Sequence, residues 1–149
     1  MAALVDGVVR MARLNAPDHE IVLAAPEPVL AVVDAPRLEQ VIVNLIDNAA
    51  KFSPDGTRID VSVTTPEPDA VQIVVADQGR GIPAEHLPHI FERAYQGGES
   101  QRAAGLGLGL YISRQVVELH GGQIEAASPP EGGARLTITL PTRAPVPAS

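Results

Sequence analysis

Three short clusters constrain this chain more than anything else in it, because each demands a particular junction of helix, strand or turn. Asn44-Leu45-Ile46-Asp47-Asn48-Ala49-Ala50-Lys51-Phe52 places two amides and a cation on one face of a helix. Asp77-Gln78-Gly79-Arg80-Gly81-Ile82-Pro83 ends an apolar run in an acid and a glycine turn. Gly105-Leu106-Gly107-Leu108-Gly109-Leu110 opens a further helix with glycines, so that backbone N–H groups can approach phosphates. Each is weak alone. In this order they point to a nucleotide site.

The surrounding pattern supplies the elements. A helix is expected over 2–14, with Leu4, Val5, Val8 and Met11 on one face. Short strands are expected at 20–24 and 30–33, either side of Pro26-Glu27-Pro28. Asp34 is a suitable N-cap and Pro36 suits a first turn, so a helix over 36–51 carries Leu38, Val41, Ile42, Leu45 and Ala49 at core spacing. Ile59, Val61 and Val63 alternate with polar residues in a strand over 58–64. A turn at 66–69 leads into a strand over 71–76, which delivers Asp77. One or two helical turns are expected within 84–92, a mobile loop over 93–106, and a helix over 107–119 closed by Gly121-Gly122. Strands over 123–128 and 134–140 finish the fold, and 141–149 reads as a flexible tail.

Composition narrows the classes. At 149 residues with 45% hydrophobic content the chain suits one globular domain. It has no cysteine, which excludes disulfides and thiolate metal sites and suits a cytoplasmic protein. No apolar run approaches the roughly 20 residues of a membrane helix, and no signal-peptide pattern opens the chain. A net charge of −7 argues against nucleic acid as a partner. Aromatic residues are few, so Val, Leu, Ile and Ala must build the core, while Phe52, Phe91 and Tyr95 lie in or beside the clusters.

Gln40, Asn44, Asn48 and Lys51 form one polar stripe with apolar stripes on both sides. Amide oxygens are hard ligands suited to Mg²⁺, and lysine adds a point charge for phosphate. The competing reading is a solvated face of an amphipathic helix. Asp77 can accept a hydrogen bond from the exocyclic amine of adenine, and glycines beside it permit close approach by a flat base. The competing reading is a plain Asp-Gly turn. The third cluster suits an anion at a helix N-terminus, or else a glycine hinge. It lacks both the Rossmann spacing and the Lys-Ser/Thr of a P-loop.

With these residues in view the chain resembles, over 37–141, the ATP-binding catalytic domain of bacterial sensor histidine kinases, within the gyrase, heat-shock-protein-90, histidine-kinase and MutL superfamily. Residues 37–54 look like its N box, 77–83 like its G1 box, 89–93 like its F box and 105–112 like its G2 box. Val117-Glu118-Leu119-His120-Gly121-Gly122 matches the family's helix ending. The resemblance implies an α+β fold of the Bergerat type: a two-layer α/β sandwich, a mixed sheet of about five strands faced by about three helices.

It also implies roles. Asn44 would hold Mg²⁺ and, with Lys51, serve catalysis, while Asn48 and Lys51 would touch phosphates. Phe52 would pack near adenine and Asp77 would bind its amine, with Gly79, Gly81 and Ile82 shaping the base pocket. Residues 93–104, Tyr95 among them, would form a lid over ATP, and Gly105, Leu106, Gly107, Leu108 and Gly109 would line the phosphate end. The implied reaction moves the γ-phosphoryl group of Mg·ATP to a histidine on a separate dimerisation domain or chain, with a response regulator as the indirect partner. None of His19, His86, His89 and His120 stands in the family's acceptor setting. Residues 1–140 would then be the catalytic domain, with 1–14 either the helix leading out of that missing hairpin or part of the domain itself. Ala94, Gln96 and Leu106 depart from the family's Phe, Arg and Thr/Ser, which predicts weaker phosphate contact. Two alternatives accompany this reading: a nucleotide-binding module with weak or no kinase activity, and a serine kinase of the anti-sigma-factor type.

Overall fold

The computed structural model describes residues 2–15, 17–24, 33–54, 56–67, 69–79, 81, 85, 87–92, 107–129 and 132–142. In chain order the elements are α1 (Ala2–Asn15), β1 (Glu20–Ala24), α2 (Ala35–Phe52), β2 (Arg58–Glu67), β3 (Ala70–Ala76), a single 3-10 turn (Leu87–His89), α3 (Gly107–Leu119), β4 (Gln123–Ala127) and β5 (Arg135–Pro141).

The strands form one sheet in the order β1-β2-β3-β5-β4. β1 runs parallel to β2 and the other neighbours are antiparallel, so the sheet is mixed. Period-two patterning explains its two faces. Ile59, Val61 and Val63 of β2, Val71, Ile73 and Val75 of β3, and Leu136, Ile138 and Leu140 of β5 all turn to one side and are buried. The three described helices pack on that side, with α2 in the middle between α1 and α3. Leu38, Val41, Ile42, Leu45, Ile46 and Ala49 of α2 complete the core. Each large aliphatic side chain so buried stabilises the fold by about 1.5–3 kcal/mol relative to exposure. The expected two-layer α+β sandwich is what the chain adopts.

Several local expectations shift. Helix α1 is turned from its expected orientation: Val5, Val8, Val9 and Ala12 enter the common core, and Met11 stays 61% exposed. Four residues at 5, 8, 9 and 12 make a better-matched stripe than one including 11, because Val9 and Ala12 extend it toward α2 and β1. Strand β2 continues through Pro66 to Glu67, where a turn was expected. Among the described residues β1 pairs with 58–62 and not with Pro66, and a register irregularity between Thr64 and Glu67 absorbs the extra length. β4 stops at Ala127 and β5 runs from Arg135 to Pro141. Of the strand expected over 30–33 only Val33 is described, and it lies outside any strand. The expected loop over 93–106 and the tail beyond Thr142 lie outside the described residues.

Candidate functional site

The register of the sheet decides which ends come together. Asp60 pairs with Ala76, and Ala76 also pairs with Arg135. The end of β3, the start of β2 and the start of β5 therefore lie on one edge. α2 enters β2 through a short turn, so its C-terminal end belongs to that same edge. α3 runs antiparallel to α2. Asn44, past the middle of α2, donates through Nδ2 to Ser113 Oγ of α3 at 3.4 Å, whereas Asp34 at the start of α2 bonds to His120 just past the end of α3. The turn of α2 that carries Asn48 consequently runs level with the glycine-opened start of α3.

The amides of α2 differ in how they are used. Asn44 Oδ1 accepts from Gln40 Nε2 at 3.2 Å while its Nδ2 is given to Ser113, which is fully buried. Asn48 is 9% exposed, and its Oδ1 is buried without any hydrogen-bond partner among the described residues. A buried carbonyl left unpaired costs about 1–3 kcal/mol, so an unpaired one at a candidate site marks where a ligand atom belongs. That atom is a donor or a cation. Lys51 and Phe52 end α2, and their side chains lie outside what is described.

Asp77 is set by its own turn. Its Oδ1 accepts from the Gly79 N–H at 2.8 Å and from the Ala134 N–H at 3.1 Å, and the Asp77 N–H donates to the Ala134 carbonyl at 2.9 Å. No described residue donates to Oδ2. One oxygen anchors the side chain and the other is left to accept from a ligand. Two glycines make this turn possible. Gly133 adopts φ +78°, and a Cβ there would overlap the Asp77 carbonyl oxygen. Gly81 also adopts φ +78°, and its Cβ would come within 2.9 Å of the Gly133 carbonyl.

At the start of α3, Gly107 begins the helix and Gly109 follows. A Cβ built on Gly109 would point at Asn44, 3.9 Å from its Cγ, so the glycine keeps space beside that amide rather than avoiding a clash. The first-turn N–H groups of α3 have no partner within the helix and carry the positive end of its dipole.

The structure thus brings Asn44, Asn48, Asp77, Gly79, Gly81 and Gly109 to one edge. Ile82, Tyr95, Gly105 and Leu106 lie outside the described residues, as does the side chain of Leu108. Sequence reasoning missed Ser113, Gly133 and Ala134. Ser113 was findable, since it stands one helical turn after Gly109 on the same face. The Ala134 contact was not, because it depends on the pairing of β3 with β5. No group of three or more His, Asp or Glu suited to a metal occurs among the described residues, including the His89–Glu92 pair at 2.6 Å.

Comparisons with known proteins agree with this fold. Residues 33–144 match the family model described as histidine kinase-, DNA gyrase B- and HSP90-like ATPase. The chain is 42% identical over 127 residues to a sensor protein, KdpD, of Clostridium acetobutylicum, which covers 83% of this chain and 14% of that protein. It is 43% identical over 120 residues to the signal transduction histidine-protein kinase AfsQ2 of Streptomyces coelicolor, covering 80% of this chain and 22% of the relative. The chain therefore spans a small part of the curated relatives it matches. Among solved structures, a mycobacterial sensor histidine kinase, MprB, superposes with a TM-score of 0.83 at 32% identity over 96% of this chain and 95% of the other. Full-length ShkA in complex with AMPPNP gives 0.81 at 26% identity, covering 97% of this chain and 31% of that one. On the family match and these identities, the chain belongs to the histidine kinase-, gyrase B- and HSP90-like ATPases.

Proposed function

We propose that this chain is the catalytic domain of a sensor histidine kinase, which binds Mg·ATP at the edge shared by α2, β3 and α3 and passes the γ-phosphoryl group to a histidine on a separate domain or chain. The observation that carries the reading is the unpaired, buried Asn48 Oδ1 at that edge, level with the start of α3. The ShkA structure was solved with AMPPNP, an ATP analogue, and its fold is shared here.

The assignments follow from which atoms are free. Asp77 Oδ2 accepts from the exocyclic amine of adenine, while Oδ1 holds the turn through Gly79 and Ala134. Gly81, at φ +78°, lets the turn after Asp77 pack directly on Gly133 and Ser128. Asn48 Oδ1 suits Mg²⁺ better than Asn44 Oδ1 does, since the latter already accepts from Gln40. Asn44, whose amide is shared between Gln40 and Ser113, stands beside the Gly109 space as a second polar contact. The amides opening α3 receive phosphate oxygens and Lys51 adds a cation. Bound Mg²⁺ would neutralise phosphate charge. Transfer then needs the acceptor imidazole lone pair to form the P–N bond as the bond to the β–γ bridging oxygen breaks, leaving ADP. Imidazole is already a nucleophile, so the domain's task is positioning. The partner is a histidine-bearing dimerisation domain, with a response regulator downstream and the cytoplasm as the compartment. No helix among the described residues is long and apolar enough to cross a membrane.

Labelled ATP, the chain and a histidine-bearing hairpin test this together. Acid-labile label on the hairpin supports the proposal. Acid-stable label identifies a serine kinase, and binding without transfer identifies a nucleotide-binding module.

A further inference from the structure

His120 stands apart from the three clusters, and its imidazole joins the two helices at the end away from them. Nδ1 lies 2.8 Å from the Val116 carbonyl oxygen, and Nε2 lies 2.9 Å from the Asp34 amide nitrogen. A carbonyl can only accept and a backbone N–H can only donate. The ring therefore donates through Nδ1 and accepts through Nε2.

Both partners sit at fixed places. Asp34 is the N-cap of α2, its carboxylate accepting from the Arg37 N–H and pairing with the Arg37 side chain. His120 follows the last turn of α3, where Gly121 at φ +77° lets its own N–H bond to Glu118 and the Gly122 N–H bond to Val117. Gly122 packs so closely on β5 that a Cβ would overlap the Thr139 carbonyl. The end of α3 is thus fixed to the sheet, and the imidazole carries that fixed point across to α2. Farther along, α3 presents Gly109 to Asn44, and a glycine offers no side-chain ridge to lock the register of two helices. Among the described residues, only the Asn44–Ser113 and Asp34–His120 side-chain bonds join these two helices and their caps, and the second is the shorter at 2.9 Å.

We infer that His120 is a positioning residue for nucleotide binding: its Nε2, accepting from the Asp34 N–H, sets where the glycine-opened start of α3 lies along the Asn48 turn of α2. The inference rests on the nucleotide reading above. It also separates the two nitrogens, since the bond to Val116 stays within one helix ending and cannot set the register.

The test compares the unaltered chain with His120→Gln and His120→Asn. Glutamine can place an acceptor where Nε2 lies, and asparagine can place a donor where Nδ1 lies. Nitrogen-15 spectra of the unaltered chain should show a through-hydrogen-bond coupling between Nε2 and the Asp34 amide. Calorimetry with Mg·ADP should find His120→Gln within about threefold of the unaltered chain and His120→Asn about five- to tenfold weaker. Thermal midpoints of both variants are recorded alongside. Equal midpoint losses with unchanged affinity would show a purely structural residue and overturn the inference. Absence of the coupling overturns it too, as does His120→Gln binding as weakly as His120→Asn. Should His120→Asn fail to fold, the coupling and the His120→Gln affinity still decide. If the unaltered chain binds no Mg·ADP, the nucleotide reading falls and the positioning role with it. If it binds and His120→Asn is indifferent, the positioning role alone falls.

Discussion

The two ends of the α2–α3 pair are built on opposite terms. At one end the capping groups are paired: Asp34 caps α2, His120 bonds on both nitrogens, and Gly121 and Gly122 complete the last turn of α3. At the other end, among the described residues, the buried Asn48 carbonyl oxygen has no partner, one Asp77 carboxylate oxygen has no donor, and a glycine stands beside the Asn44 amide. Both helices contribute to both ends, with the Asp77 turn added at the second. Satisfied polar groups hold the structure together, and unsatisfied ones at the matching edge mark the proposed site.

The largest expected effect that would sharpen this contrast comes from the glycine beneath Asp77. Gly133→Ala should destabilise the chain by roughly 3 kcal/mol or more, since positive φ strain adds to a clash with the Asp77 carbonyl. A shift in the urea midpoint measures it. Should the alanine variant unfold at the same midpoint, the turn that sets Asp77 is not as tight as described.

Asn48→Leu should separate stability from binding. Removing a buried, unpaired oxygen should leave the nucleotide-free chain as stable as before or up to about 1 kcal/mol more so, while Mg·ADP binding weakens about 100-fold. A variant that loses stability and keeps its affinity would mean the oxygen was paired and idle. Asp77→Asn comes next, at about 30-fold in affinity for the adenine nucleotide. The amide oxygen can still anchor the Gly79 turn, but the outward atom becomes a donor facing a donor. Competition calorimetry against an adenine nucleotide reads this directly.

Asn44→Ala should have the smallest effect of the four, about fivefold in affinity with a loss of about 1 kcal/mol in stability, because this amide is already engaged by Gln40 and Ser113. An effect equal to that of Asn48→Leu would erase the proposed distinction between the two amides.

How much of this was legible from residues alone differs between the two ends as well. The α2 core face, the alternation of β2, the apolar run of β3 and the glycine-opened α3 follow local pattern, which a sequence displays directly. The order of the three clusters carried the family resemblance that the comparisons then bore out. What stayed hidden depends on contacts far apart in the chain. The Asp77 turn borrows its second donor from Ala134, 57 positions away, and the α2 cap borrows its acceptor from His120, 86 positions away. The orientation of α1 was misread for a related reason, since which of Val9 and Met11 is buried is settled by α2 and β1 rather than by α1. The division of labour between Asn44 and Asn48 was equally invisible, because both fit one helical stripe and only the partners of Asn44 tell them apart.

The central claim is that α2, the Asp77 turn and the start of α3 enclose one adenine-nucleotide pocket. Amide chemical shifts followed during a titration with Mg·ADP test it most directly. The account predicts that Asn44, Asn48, Asp77, Gly79, Gly81 and Gly109 move together along one saturation curve, while Asp34 and Gly122 move little. Signals at these positions that follow separate curves, or that do not move at millimolar nucleotide, would contradict it.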